Sequence, residues 1–248
     1  MSREEVNEAF FRYGIYNGAG ITVFDDSGDV YKLADFLKNR KPQPYEHPDA
    51  YVKSENKLLI IEHFAIDGYT ELENGGSTLL RNEHLQDKEM SKLAPTKEGA
   101  HITTQLGTNN TYYGFIENCK RRFEHHYNQI EKYKEDLRND KIADESTEFT
   151  ICFLMDEVSP LGTLTYDGEN ICPVCLAKSK EFLDFYESHP DVDWIVSAVI
   201  LRSEYKPYFF SYNNIAAYRK QILDYASYQF LSSNSMRTDF KIIIPKEQ

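Results

Sequence analysis

The chain has 248 residues, enough for a sizeable core, and a 41% hydrophobic, 14% aromatic composition with 12 glycines and 9 prolines, which excludes a disordered polymer. Its 28 basic and 40 acidic residues leave a formal charge of −12, which disfavours a nucleic-acid partner unless the basic groups cluster. Four cysteines are too few for a secreted disulfide scaffold, the opening MSREEVNEAF lacks an apolar signal core, and no apolar run nears the roughly 20 residues of a membrane span, so a cytoplasmic protein with no membrane partner is expected.

Val6, Ala9 and Phe10 fall at helical spacing over Glu4 to Phe11, and the glycines at 14, 18 and 20 end that helix. Ile21 to Phe24 reads as a strand, Asp25 to Asp29 as a turn, and Tyr31 to Lys38 as a helix with Leu33, Phe36 and Leu37 inward. After Pro42, Pro44 and Pro48, two apolar runs flank the polar turn Ser54-Glu55-Asn56-Lys57, which reads as a β-hairpin. The second run, Leu58 to Ile61, is continuously apolar and therefore belongs in the middle of a sheet with both faces covered.

Residues 68 to 76 are loop-like, Leu79 to Leu93 is compatible with a helix, Pro95 to Asn110 reads as irregular, and Tyr112 to Leu137 as one long helix. Thr147 to Met155 reads as a strand, Val174 to Tyr186 as a helix and Asp193 to Leu201 as a strand, an order that predicts a parallel pair. Asn214 to Leu231 has Ala217, Ile222, Ala226 and Phe230 spaced for one helical face, and Phe240 to Ile244 reads as a final strand. With no repeat, low-complexity tract or linker, the expectation is a single α/β domain over 1–248: a mixed central sheet flanked by helices, with a helical insertion at about 68–146.

The chemistry concentrates on the hairpin. Asp49 opens its first strand and Glu62 ends its buried second one, so two carboxylates meet across it. Such anions repel, and a divalent cation relieves the repulsion; Mg²⁺ is commonly held by one or two carboxylates plus waters and phosphate oxygens, where it activates water. The competing reading is two ordinary polar strand ends facing solvent.

Pro48-Asp49, a thirteen-residue step, then Ile60-Ile61-Glu62, with a predicted helix before the hairpin, resembles the PD-(D/E)xK nuclease superfamily over about residues 30 to 67. The strand, helix, strand order of 147 to 201 is compatible with the rest of that core. The resemblance implies a restriction-endonuclease-like core and a hydrolase using Mg²⁺ or Mn²⁺. Asp49, Glu62 and the carbonyl of His63 would be the metal ligands, with Glu46 as a further acidic candidate. The motif's lysine position holds Phe64, which donates no hydrogen bond, and Lys88 or Lys92 are the candidates to replace it from a neighbouring element. The string Glu62-His63-Phe64 followed by Asp67, and the later Phe123, His126, Ile130, Tyr133 pattern, are similar to bacterial nuclease-like proteins, which adds His63, Asp67 and His126 as second-tier candidates.

Other constellations point less far. Cys172-Pro-Val-Cys175 has the spacing of half a zinc site or a redox dithiol, but Cys119 and Cys152 are distant and no second pair exists, so two structural thiols are the simpler expectation. Lys120-Arg121-Arg122, with His125, His126, Tyr112, Tyr113, Phe123 and Tyr127, is the best basic and aromatic cluster for a nucleic-acid strand, against a solvated helix face. Asp156-Glu157 reads as a strand-end turn. Gly18-Ala-Gly20 lacks phosphate-loop spacing, and there is no Gly-x-Ser-x-Gly elbow. Two functions therefore stand: a divergent metal-dependent nuclease, or a catalytically inactive interaction or regulatory module of the same fold with a protein partner.

Overall fold

A computed structural model describes residues 22–23, 33, 36–37, 40–66, 101–106, 111–157, 164–201, 204–230 and 236–241. The expectations for 4–11, 25–29, 68–76, 79–93 and 242–244, with Asp67, Lys88, Lys92 and the Gly18–Gly20 segment, lie outside these residues.

The strands are β1 (Thr22–Val23), β2 (Gln43–Pro44), β3 (Ala50–Ser54), β4 (Lys57–Ile66), β5 (His101–Leu106), β6 (Glu148–Glu157), β7 (Leu164–Tyr166), β8 (Ile171–Pro173), β9 (Trp194–Leu201), β10 (Glu204–Ser211), β11 (Gln229–Phe230) and β12 (Met236–Lys241). Seven form a mixed sheet in the order β1-β10-β9-β6-β4-β3-β2. β4, β6 and β9 run parallel at its centre, β2, β3 and β4 form an antiparallel meander, and β9 and β10 pair antiparallel. β11-β7-β8 make a small second sheet, and β12 pairs with β5. The chain is thus α/β with a mixed sheet and flanking helices. No described helix is long and apolar enough to cross a membrane.

The hairpin forms where the polar turn predicts it, with Ser54 opposite Lys57 and Glu55 at a left-handed φ of 53°. Leu58 to Ile61 are all buried because each face of β4 is covered. Leu58, Ile60 and Phe64 join Ile151, Phe153 and Met155 of β6 beneath the helices, while Leu59 and Ile61 pack with Cys152, Leu154, Leu33 and Leu37 on the other face. Leu33, Phe36 and Leu37 are helical, as their spacing predicts.

The single helix expected over Tyr112 to Leu137 is two: α1 (Tyr112–Tyr127) and α2 (Ile130–Asn139). Ile116, Phe123, Ile130 and Leu137 recur every seven residues. A straight helix drifts about 20° per heptad from that repeat, so a break between Tyr127 and Ile130 re-aims Ile130, Tyr133 and Leu137 into the core. Both helices contribute to the main core, so the chain between β4 and β6 helps to build the sheet's covered face. α2 ends in a Schellman turn: the Ile142 amide reaches the Leu137 carbonyl, the Lys141 amide reaches that of Arg138, and exposed Lys141 takes a φ of 60°. A β-carbon is strained there, so Lys141→Gly is expected to raise the unfolding free energy by about 1 kcal/mol in urea melts.

Three further expectations are corrected, and one strand, β10, is added. The stretch read as irregular contains β5, whose Ile-Thr-Thr sequence suits a strand. Val174 to Tyr186 is helical only from Lys180: α3 (Lys180–Tyr186) starts where Ser179 Oγ accepts the Phe182 amide, after a tight turn at Leu176–Lys178. Asn214 to Leu231 holds only α4 (Ile215–Tyr218), then tight turns and β11. There Tyr218 and Tyr225 occupy the core while Ala217, Ile222 and Ala226 face solvent, and the Leu223 amide bonds the Lys178 carbonyl instead of continuing a helix. β10 carries Pro207, which masks it as a strand; among the described residues β1 pairs with Tyr208 and Phe209, and β9 pairs with β10 along its whole length.

Candidate functional site

Asp49 and Glu62 are brought together by the hairpin register. Ala50 lies opposite Ile61 as the last pair of the ladder, and one residue further on Asp49 and Glu62 come together. The two carboxylates exchange bonds with each other's strand: the Asp49 amide donates to Glu62 Oε2 (3.2 Å) and the His63 amide donates to Asp49 Oδ2 (2.8 Å). Ser54 and Lys57 flank the turn as a hydrogen-bonded pair, and alternation then puts the His63 amide and carbonyl on the edge facing β3. The ladder partner of that carbonyl would be the amide of residue 48, and proline has none. The Asp49 and Glu62 carboxylates therefore meet where β3 ends, with the His63 amide bonded to Asp49.

Asp49 and Glu62 are only 8% and 4% exposed, so the reading of solvent-facing strand ends does not hold. A carboxylate that deep costs several kcal/mol unless it is hydrogen-bonded or paired. Glu62 answers this with three donors: besides the Asp49 amide, His126 Nδ1 (2.8 Å) and the Tyr133 hydroxyl (3.1 Å) both reach Oε1. Phe64, in the lysine position of the motif, is buried and stacks on the His126 ring at 4.4 Å with an 8° interplanar angle. An imidazole from α1 thus lies beside Glu62, over the aromatic face that replaces the motif's lysine. His125, its neighbour, is exposed and turned away. Tyr133 is the participant whose role the sequence did not mark; its seven-residue spacing from His126, two helical turns, is the signal that could have found it.

On the opposite face of the sheet, His63 and Asp156 adjoin at the C-terminal ends of β4 and β6, where Ala65 is opposite Asp156. His63 Nε2 lies 3.6 Å from Asp156 Oδ2, beyond hydrogen-bond range, and His63 Nε2 and Asp156 Oδ1 are buried with no hydrogen-bond partner among the described residues. Each such atom costs about 1–3 kcal/mol. Asp156 is therefore not the strand-end turn expected: it lies inside β6 and is 7% exposed.

As a metal-binding set, the two carboxylates and one carbonyl are all hard oxygen donors, which fits Mg²⁺ or Mn²⁺ completed by waters. One lone pair of Glu62 Oε2 stays open after the Asp49 amide is counted, while both of Oε1 are taken. Among the described residues no group of three or more His, Cys, Asp or Glu side chains is placed to hold a metal ion. Glu46 does not join the pair: it is exposed and lines a cavity of about 290 Å³ with Tyr45, His47, Asp136, Asn139 and Asp140.

The remaining constellations resolve into structure. In the basic and aromatic cluster, Tyr112 and Phe123 are core, Tyr113 is 57% exposed, Lys120 pairs with Glu117 and Arg121 bonds Asn118. That leaves no continuous stacking platform on the described surface of α1. All four cysteines are free thiols. Burial pushes the Cys175 thiol up to about 12 and raises that of Cys152 further. Neither supplies thiolate near neutrality, so both are expected to react with a disulfide reagent at pH 8 only after unfolding, as thiol counting in native and denatured protein would show.

No known family model, curated protein or solved structure matches this chain.

Proposed function

We propose that this protein is a divergent metal-dependent nuclease-like protein that hydrolyses a nucleic-acid phosphodiester, with a restriction-endonuclease-like core resembling the PD-(D/E)xK superfamily. The observation that carries the reading is the meeting of the buried Asp49 and Glu62 carboxylates at the end of β3. The helical residues before the hairpin and the parallel β4, β6 and β9 are consistent with it.

In this reading Asp49, Glu62 and the His63 carbonyl hold Mg²⁺ or Mn²⁺. When bound, the ion would acidify water and stabilise charge developing on the phosphate. The chain's own contribution is orientation. The His63 amide fixes Asp49, and His126 with Tyr133 fixes the far oxygen of Glu62, leaving the near one toward Asp49. Such supporting contacts are what keep ligands within the narrow geometry a metal demands.

A second reading, an inactive interaction module of the same fold, draws on Phe64, whose buried ring replaces the motif's lysine, and on the −12 charge. The two separate in one assay: Mn²⁺-dependent cleavage of single-stranded DNA, double-stranded DNA and RNA by the native chain and by folded Asp49→Asn. Cleavage that falls at least a hundredfold in the variant is expected. No cleavage of any substrate, with no Mn²⁺ binding heat, would leave the interaction module.

A further inference from the structure

A second polar constellation lies outside the Asp49–Glu62 pair and shares none of its side chains. His63 continues the face of β4 that carries Leu59 and Ile61, and Asp156 continues the face of β6 that carries Cys152 and Leu154. Adjacent parallel strands thus carry, toward their C-terminal ends, an imidazole and a carboxylate on a diagonal, next to the apolar residues of the same face. The C-terminal ends of parallel strands are where α/β sheets place their ligands.

The pair is not satisfied as it stands. The Asp156 side chain is 9% exposed and that of His63 14%; their nearest nitrogen and oxygen stand 3.6 Å apart, and among the described residues His63 Nε2 and Asp156 Oδ1 have no hydrogen-bond partner. A direct bond would close to about 2.7–2.9 Å. The observed separation instead matches two ligands of one ion: metal–nitrogen and metal–oxygen bonds of about 2.0–2.2 Å span 3.6 Å at an angle of about 120°. One imidazole nitrogen and one carboxylate oxygen suit a divalent first-row ion of the zinc or manganese class better than Mg²⁺, which takes oxygen almost exclusively.

We propose that His63 and Asp156 form a divalent transition-metal site at the C-terminal ends of β4 and β6, on the sheet face opposite Glu62. Two of its ligands would come from the sheet, and water or an anionic ligand would complete it. Residue 63 then serves both faces of the sheet: its backbone carbonyl lies on the β3 edge toward Asp49, and its ring faces Asp156. The proposal shares only residue 63 with the nuclease reading, through a different atom, and uses neither carboxylate of that pair.

The test uses the full chain with Zn²⁺ in calorimetry and Cu²⁺ in pulsed electron paramagnetic resonance, which reports imidazole nitrogen bound to the ion. The expected result is one tight Zn²⁺ per chain and a nitrogen coupling in the native protein. His63→Gln, which keeps the backbone, abolishes the coupling, and Asp156→Asn weakens Zn²⁺ at least tenfold. Asp49→Asn and Glu62→Gln leave both signals in place. A coupling absent from the native chain, a coupling that persists in His63→Gln, or Zn²⁺ affinity unchanged in Asp156→Asn would overturn the proposal. If either variant fails to fold by near-ultraviolet circular dichroism, the native chain's coupling still decides, since its absence alone refutes the site. Loss of the signals in Asp49→Asn or Glu62→Gln, but in neither His63→Gln nor Asp156→Asn, would assign the ion to the oxygen set and overturn the proposal equally.

Discussion

Glu62→Ala is expected to lower the unfolding free energy by about 3–5 kcal/mol, the range for removing one partner of a buried charged network. The reason lies in what stays behind. The Asp49 amide, His126 Nδ1 and the Tyr133 hydroxyl all converge on this carboxylate, and its removal takes away that shared acceptor in a site with little access to water. Urea melts of native, Glu62→Ala and Glu62→Gln proteins measure this. The glutamine variant keeps the shape and one carbonyl acceptor, so it is expected to lose less than the alanine. It should still lose the proposed cleavage, because an amide is a poor ligand for a hard cation. Equal stability of all three proteins would mean that the network contributes nothing, and its geometry would then say little about function.

Phe123→Ala is expected to cost a similar 3–5 kcal/mol, the range for truncating a large buried aromatic, and with it roughly 6–20 °C of melting temperature for a chain of this size. Phe123 is fully buried and its ring meets those of Phe153 at 4.9 Å, His189 at 5.2 Å, Phe185 at 5.3 Å and Tyr186 at 6.1 Å. It therefore joins α1 to both β6 and α3. His126 follows three residues later on the same helix, so slackening this contact should also loosen the imidazole held against Glu62 and Phe64. Phe123→Leu, which keeps most of the volume, should cost far less. Differential scanning calorimetry of the two variants checks the ordering, and a small loss for the alanine would show that α1 is held elsewhere.

Local chemistry made some of this molecule legible from its residues alone. The unbroken apolar run Leu58 to Ile61 demanded a strand covered on both faces, and the polar Ser54 to Lys57 could only be its turn. Asp49 and Glu62 then had to face each other, since a two-residue turn fixes the register of every pair beyond it. The order of strand, helix and strand between 147 and 201 likewise required a parallel pair, found as β6 and β9.

The rest depended on contacts between residues distant in sequence. Nothing near Asn214 to Leu231 reveals that the Leu223 amide will bond the Lys178 carbonyl, yet that contact, with the burial of Tyr218 and Tyr225, decides against the helix its apolar spacing predicts. The pairing of β4 with β6 sets Asp156 beside His63, although 93 positions separate them in sequence. The folding of α1 and α2 across the sheet carries His126 and Tyr133 to Glu62, 64 and 71 residues away. Periodicity and turn chemistry act over a few residues and so fix strands, turns and hairpin register. The donors that surround a buried carboxylate are chosen by packing, which no local pattern records.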